Sequence, residues 1–185
     1  MKKTNTPKIT SLDYAILGLI HQEPLSGYGI RKQFETTAIG NYSSSPGAVY
    51  PALDRLQKLG LVVKSLLKNQ KKEKFSCTLK GIETLKNWLL QPIEITDVAK
   101  NTDEILLKFA FTDKLLGKDQ KIEFLKSFQK QLENYLRELK EFHLKEGAKL
   151  PLNGRLAFEH GIISYTATLK WCKSAANSIR NHQEK

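Results

Sequence analysis

The sequence predicts a mainly α-helical protein with one small β-hairpin, in which a compact N-terminal domain precedes a pair of long antiparallel helices. Apolar residues recur at steps of three and four over most of the chain, one stretch near residue 75 alternates with period two, and two heptad seams fill the C-terminal part. We therefore expect a domain over residues 1–90, a connector over 91–101 and a helical domain over 102–185.

Caps and apolar spacing predict the first two helices. Thr10 and Asp13 form a capping-box pattern, after which apolar residues repeat on one helical face until Pro24. Ser26 is placed to cap a second helix, which carries Tyr28 and fades toward residue 40. Two short helices thus follow each other across one turn.

The third helix follows a polar loop over residues 41–45. Val49, Leu53 and Leu56 mark its apolar face, and Gly60 is placed as its C-terminal cap. Pro51 removes a hydrogen bond inside this helix, so we expect an irregular first turn.

A hairpin and a fourth helix complete the N-terminal domain. Residues 61–63 are apolar, residues 68–74 are basic and polar, and Phe75 and Cys77 then alternate with polar residues. This pattern is typical of two strands joined by a polar turn. Helical spacing returns from Leu79 and ends before Pro92.

The C-terminal domain begins with a helix from Thr102 and continues with two long helices. A break over residues 147–154 should fold the second long helix back against the first. We predict that the two seams form a dimer, whereas intramolecular packing alone is the alternative. The predicted dimerisation residues are Leu125, Phe128, Leu132, Tyr135, Leu139, Phe158, Ile162, Tyr165 and Leu169.

The charge indicates an anionic partner. The formal net charge is +11, and residues 1–90 hold 14 Lys and Arg against 6 Asp and Glu. Such a surface attracts polyanions.

No apolar run is long enough for a membrane span and no export signal is recognised, so we expect a cytoplasmic protein that does not bind membranes. The two cysteines are far apart and indicate neither a disulfide framework nor a zinc site.

The order of three helices followed by a basic hairpin predicts a winged helix-turn-helix, in which the third helix enters the DNA major groove and the wing contacts the backbone. Serines before the third helix are suited to phosphate oxygens, although they could serve only as caps. A lysine-rich turn is often simply solvated, but beside the third helix we favour DNA contact. The predicted DNA-binding residues are Tyr28, Lys32, Ser43, Ser44, Ser45, Gly47, Tyr50, Pro51, Asp54, Arg55, Lys58, Lys68, Lys71, Lys72 and Lys74.

A succession of short motifs runs through nearly the whole chain. They are Leu17-Gly18-Leu19-Ile20, Gly27-Tyr28, Gly47-Ala48-Val49-Tyr50-Pro51-Ala52-Leu53, Arg55-Leu56, Gly60-Leu61-Val62, Asp103-Glu104 and Leu106-Leu107-Lys108-Phe109. These motifs resemble the PadR family of regulators. The resemblance implies a homodimeric repressor or activator, assembled through its C-terminal helices, and for several members a response to phenolic or other hydrophobic molecules. Ser26 departs from the histidine that is commoner before Gly-Tyr in that family.

Tryptophan marks a predicted effector site. Trp88 lies near the end of the fourth helix, and we expect a small hydrophobic or aromatic molecule to bind there, with Phe109 and Trp171 as further wall residues. The alternative is that Trp88 serves only core or dimer packing.

Catalysis has little support. The four histidines are isolated from one another, and phosphate loops, metal-ligand spacings and nucleophile motifs are not recognised. We expect no cofactor, no metal and no enzyme activity. The leading hypothesis is a sequence-specific dimeric regulator of an inverted-repeat operator on double-stranded DNA, with repression relieved by an effector. Its rivals are a nonspecific architectural DNA-binding protein and a helical protein-interaction module.

Overall fold

The computed structural model describes residues 8–36, 42–65 and 73–182, and the chain divides into two compact units between Gln91 and Pro92. The first unit contains α1 (Ser11–Gln22), α2 (Gly27–Thr36), α3 (Pro46–Lys58), β1 (Val62–Ser65), β2 (Lys74–Cys77) and α4 (Leu79–Leu89). The second contains α5 (Ile95–Lys100), α6 (Thr102–Ala110), α7 (Lys118–Glu146), a 3₁₀ turn (Gly147–Lys149) and α8 (Leu152–Asn181). The predicted mainly helical fold with one small hairpin is confirmed.

The N-terminus of α1 has the capping box predicted for it. The Thr10 hydroxyl accepts a hydrogen bond from the Asp13 amide, while the Thr10 amide donates to Asp13 Oδ2 at 2.7 Å. Both orphan amides are thereby satisfied. The Ser26 hydroxyl similarly accepts from the Gly29 amide at the start of α2.

Helix α3 is continuous, so the prediction of an irregular first turn, made because of Pro51, is wrong. Ser45 starts the helix by accepting from the amides of Ala48 and Val49, each at 3.1 Å. Proline has a helical φ, and this anchored helix accommodates the one hydrogen bond that it removes. Gly60 ends the turn with a φ of +70°, a left-handed conformation that favours glycine.

The hairpin strands are antiparallel, with Val62 opposite Cys77 and Lys64 opposite Phe75. Phe75 also exchanges both backbone hydrogen bonds with Leu25, in the connection between α1 and α2. A Cβ at Gly81 would overlap the carbonyl oxygen of Leu61, so the backbone of α4 lies directly on the chain entering β1. The hairpin is therefore fixed to the helices on both of its sides.

The second unit is built on the antiparallel pair α7 and α8. Tyr135 meets Tyr165 edge to face at 5.1 Å, and Phe142 meets Phe158 at 5.2 Å. A buried cluster connects this pair to α5 and α6. Its members are Ile93, Val98, Ile105, Phe124, Phe128, Leu132 and Cys172. The predicted fold-back of the second long helix is confirmed.

The segment 91–101, expected to be a plain connector, contains α5. Val98 of this helix is fully buried in the core of the second unit, and Asp97 accepts a hydrogen bond from the Glu94 amide at the helix start. A six-residue helix is shorter than two turns, so it leaves no repeat that periodicity can detect.

Among the described residues, we find no helix that is both long and apolar enough to cross a membrane.

Both cysteines are free, and burial raises the pKa of each thiol to about 12. They are therefore protonated at neutral pH and act as small packing groups.

Candidate nucleic-acid interface

Helix α3 has two chemically different faces. Val49, Ala52, Leu53 and Leu56 are buried against the rest of the first unit. The opposite face is exposed and carries glycine, an aromatic ring, proline and polar groups. Its residues are Gly47, Tyr50, Pro51, Asp54, Gln57 and Lys58. Apart from Gln57, all were predicted to bind DNA, and the structure brings them together on one surface.

Tyr50 is held against α2 by a glycine. A Cβ at Gly27 would come within 2.6 Å of Tyr50 Cε1, so the tyrosine ring lies on the bare backbone of that residue. Tyr50 nevertheless remains 46% exposed. Packing thus fixes the direction of the ring while leaving its edge free for a ligand.

Arg55 has a different environment from its neighbours. Its Nε donates to Asp13 Oδ2 at 2.9 Å and its Nη2 donates to Asp13 Oδ1 at 2.7 Å, and the Asp13 side chain is 0% exposed. This hydrogen bonding raises the pKa of Arg55 above its ordinary value. Arg55 was predicted as a DNA contact. In the structure its guanidinium pairs with Asp13 and so joins α3 to α1. We therefore assign Arg55 to positioning α3.

The three serines before α3 form a local network. The Ser43 hydroxyl donates to the Ser45 hydroxyl at 3.0 Å and accepts from the Ser45 amide. The Ser44 carbonyl accepts a hydrogen bond from Arg31 Nε at 2.7 Å. Ser45 makes no side-chain cap bond to the helix, although it occupies the N-cap position. Ser43 and Ser45 are exposed, and Ser44 is half-buried.

Other predicted contacts lie on α2 and the hairpin. Tyr28 is 63% exposed and Lys32 is exposed, both on α2. Lys74 begins β2 and is half-buried, while Lys64 of β1 pairs with Glu73. Three of the predicted wing lysines lie outside the described residues, namely Lys68, Lys71 and Lys72.

Gln57, which was not among the predicted DNA contacts, is also a member of the exposed surface. Together with Asp54 and Lys58 it lines an open groove of about 540 Å³ on α3. Its spacing of seven from Tyr50 places it near the same helical face, so position in the helix could have identified it.

The predicted dimerisation residues pack within one chain. Leu125, Phe128 and Leu132 are completely or almost completely buried there, and Tyr135 packs on Tyr165. The seams therefore join α7 to α8, because each offers its apolar stripe to the other. The remaining predicted residues, Leu139, Phe158, Ile162 and Leu169, are half-buried on the same seams.

Helix α8 has a second apolar stripe opposite its seam. Leu152, Leu156, Ile163 and Trp171 are all exposed, and steps of four, seven and eight keep them on one side of the helix. None of these four was among the predicted dimerisation residues.

The three predicted effector residues divide between the units. Trp88 is 4% exposed in the first unit, where its ring stacks parallel on Tyr14 at 4.6 Å. In the second unit Phe109 meets Trp171 edge to face at 5.4 Å, and Trp171 is 38% exposed. The structure therefore brings Phe109 and Trp171 together and gives Trp88 a packing partner of its own.

Comparison with known proteins supplies the family. Residues 16–87 match the model of the "Transcriptional regulator PadR-like family". The chain is also 31% identical over 123 residues to the negative transcriptional regulator PadR of Bacillus subtilis, an alignment that covers 65% of this chain and 66% of that protein. The alignment thus spans slightly less than two thirds of the relative's length.

Two solved structures are similar. The crystal structure of Bacillus subtilis PadR in complex with operator DNA is 24% identical, with a TM-score of 0.41 and coverage of 92% of this chain and 99% of that one. The same protein in complex with p-coumaric acid is 22% identical, with a TM-score of 0.42 and coverage of 95% and 99%. The match over residues 16–87 includes α2, α3 and the hairpin, the elements that build the exposed surface described above. Residues 16–87 of the chain belong to the PadR-like family of transcriptional regulators.

Proposed function

We propose that this chain is a sequence-specific, dimeric DNA-binding regulator that represses transcription until a small hydrophobic or aromatic molecule releases it. The exposed face of α3 is the observation that carries the proposal. This face is polar, is backed by a fully apolar one, and belongs to the half of the chain with most of the positive charge.

Recognition divides between base edges and phosphates. Helix α3 enters the major groove, where Tyr50 and Lys58 face base edges and Gly47 allows close backbone approach. Ser43, Ser45 and the wing lysines contact phosphates, which carry charge but no sequence information. The wing therefore supplies affinity and α3 supplies specificity.

Dimerisation uses the exposed stripe of α8 instead of the two seams. Ile163 is 66% exposed, and Ala167 and Ser164 beside it leave room for a partner helix to approach. Large apolar side chains repeated on one face of a long helix are typical of helix-helix interfaces. A two-fold dimer presents two copies of α3 and so selects an inverted repeat.

Repression and effector release complete the proposal. A negative regulator is 31% identical to this chain, which supports repression as the mode of action. Phe109 and Trp171 offer a partly exposed aromatic pair on which a planar molecule can stack. Release requires that the effector bind a DNA-incompetent state more tightly, and by reciprocity operator DNA must weaken effector binding by the same factor.

Selection of bound DNA from a random duplex library, using the purified full chain at physiological salt, tests the proposal. We expect enrichment of an inverted repeat whose half-sites lie about 10 bp apart or a multiple of that distance. Salt-sensitive binding without any enriched motif would identify a nonspecific architectural protein. Failure to retain DNA at any salt concentration would favour a protein-interaction module.

A further inference from the structure

Asp54 is an anion at the centre of a surface that is otherwise suited to a polyanion. It is the single acidic residue of α3, and it lies one turn beyond Tyr50 and one turn before Lys58. Its side chain is exposed and lines the open groove with Gln57 and Lys58. A carboxylate at this position opposes phosphate binding, so general attraction to DNA does not account for it.

The carboxylate of Asp54 also has no bonding partner among the described residues. Within the described part of the chain, it takes part in neither a hydrogen bond nor an ion pair. Lys58 lies four residues away, at a spacing that commonly allows pairing, yet the two do not pair. The adjacent Arg55 is turned to Asp13. Among the described residues, the Asp54 carboxylate therefore has no partner that would give it a stabilising role.

An unpaired carboxylate in the major groove has one favourable partner among the base edges. Cytosine offers the N4 amino group, which donates a hydrogen bond, and Asp or Glu accepts from it. Guanine and thymine offer acceptors that repel the carboxylate, and adenine places an acceptor beside its amino group. The chemistry of Asp54 thus matches one base pair and penalises the others.

We propose that Asp54 is a specificity-determining residue that accepts a hydrogen bond from a cytosine in each operator half-site and weakens binding to DNA that lacks that cytosine. The inference rests on the proposed DNA-binding function. It assigns Asp54 two effects of opposite sign, because the carboxylate is attractive on the correct base pair and repulsive beside phosphates on any other sequence.

Parallel random-library selections test the role, using the full-length wild type, Asp54→Asn and Asp54→Ala. Glu83→Gln is the matched control, because Glu83 is an exposed acid on α4 and its replacement removes the same charge. We expect the wild-type motif to contain one strongly preferred C·G pair per half-site. Both Asp54 variants should lose this preference by about 5- to 150-fold, the range for recognition of one base pair, while keeping the rest of the motif.

Affinity for random duplex supplies a second measurement. Both Asp54 variants should bind random DNA more tightly than the wild type at low salt. In the library selection, the control Glu83→Gln should leave the motif unchanged. An unchanged motif in both folded Asp54 variants, or weaker binding to random DNA, would overturn the inference and leave the proposed function standing. A wild type that selects no motif contradicts the proposed function itself and this inference with it.

Discussion

Asp13 and Arg55 form a two-point ion pair that joins the first turn of α1 to the last turns of α3 across 42 residues of sequence. Asp13 is 0% exposed, and its Oδ2 also accepts a hydrogen bond from the amide of Thr10, the residue whose hydroxyl caps α1. One buried carboxylate therefore sets both the start of α1 and the orientation of α3. The exposed face of α3 depends on this pair even though neither residue belongs to that face.

Removing the arginine should destabilise the first unit. Arg55→Met leaves the Asp13 carboxylate buried without its cation, and such losses cost about 3–5 kcal/mol. Urea denaturation followed by circular dichroism measures the free energy of unfolding. The control is Lys58→Met, an exposed change on the same helix that should stay within about 0.5 kcal/mol of the wild type. Equal stabilities for the two variants would contradict the structural role of Arg55.

The contact between Gly27 and Tyr50 predicts a variant with altered recognition. Gly27→Ala places a methyl group 2.6 Å from Tyr50 Cε1, so the ring must turn away from its position. We expect lower discrimination between operator and random DNA, with affinity for random DNA nearly unchanged. Competition titrations measure the ratio.

Gly47→Ala is the control for the Tyr50 displacement, because an added Cβ there meets nothing within 4 Å inside the chain. Its Tyr50 ring should stay in place, so that any loss of DNA binding arises from the backbone approach at Gly47 itself. Retained discrimination in Gly27→Ala would show that the direction of Tyr50 is irrelevant.

Substitutions on α7 and α8 should separate folding from dimerisation. Leu132→Asp buries a charge in the core of the second unit and should unfold it. Ile163→Asp instead places a charge on the exposed stripe and should give a folded monomer. Sedimentation velocity and circular dichroism distinguish the two results. A wild type that sediments as a monomer at micromolar concentration, or a dimeric Ile163→Asp, would contradict the assigned interface.

The two tryptophans allow the effector proposal to be resolved by fluorescence. Titration of phenolic acids should quench Trp171 in Trp88→Phe, whereas Trp171→Phe should lose saturable quenching. The same compounds should lower operator affinity of the wild type. Quenching confined to Trp88, or saturable quenching without any effect on operator binding, would contradict the assignment to Phe109 and Trp171.

The helices of the first unit were predictable because their causes are local. The Thr10 and Asp13 capping box, the apolar repeat of α3 and the left-handed turn at Gly60 each depend on neighbouring residues. The pairing of Asp13 with Arg55 depends instead on tertiary structure, and the sequence showed only the capping role of Asp13. Arg55 was consequently grouped with its exposed neighbours.

The second unit shows a different limit. Heptad spacing identifies an apolar stripe but does not state whether its partner helix belongs to the same chain. Leu132 was therefore predicted in a dimer seam, with intramolecular packing as the alternative, and it packs in the core of the second unit. In the first unit, Leu79 was grouped with the apolar residues of α4, yet it is highly exposed at the first position of that helix.

The central claim is that α3 reads sequence while the wing supplies affinity. Fluorescence anisotropy competition between the selected operator and a scrambled duplex, over a range of salt concentrations, tests it most directly. The wild type should prefer the operator by about 10³-fold or more at physiological salt. Tyr50→Ala should reduce that ratio, whereas alanine at both Lys71 and Lys72 should weaken both duplexes alike and flatten the salt slope by about one unit per lost contact. Equal wild-type affinity for the two duplexes at every salt concentration would contradict the account.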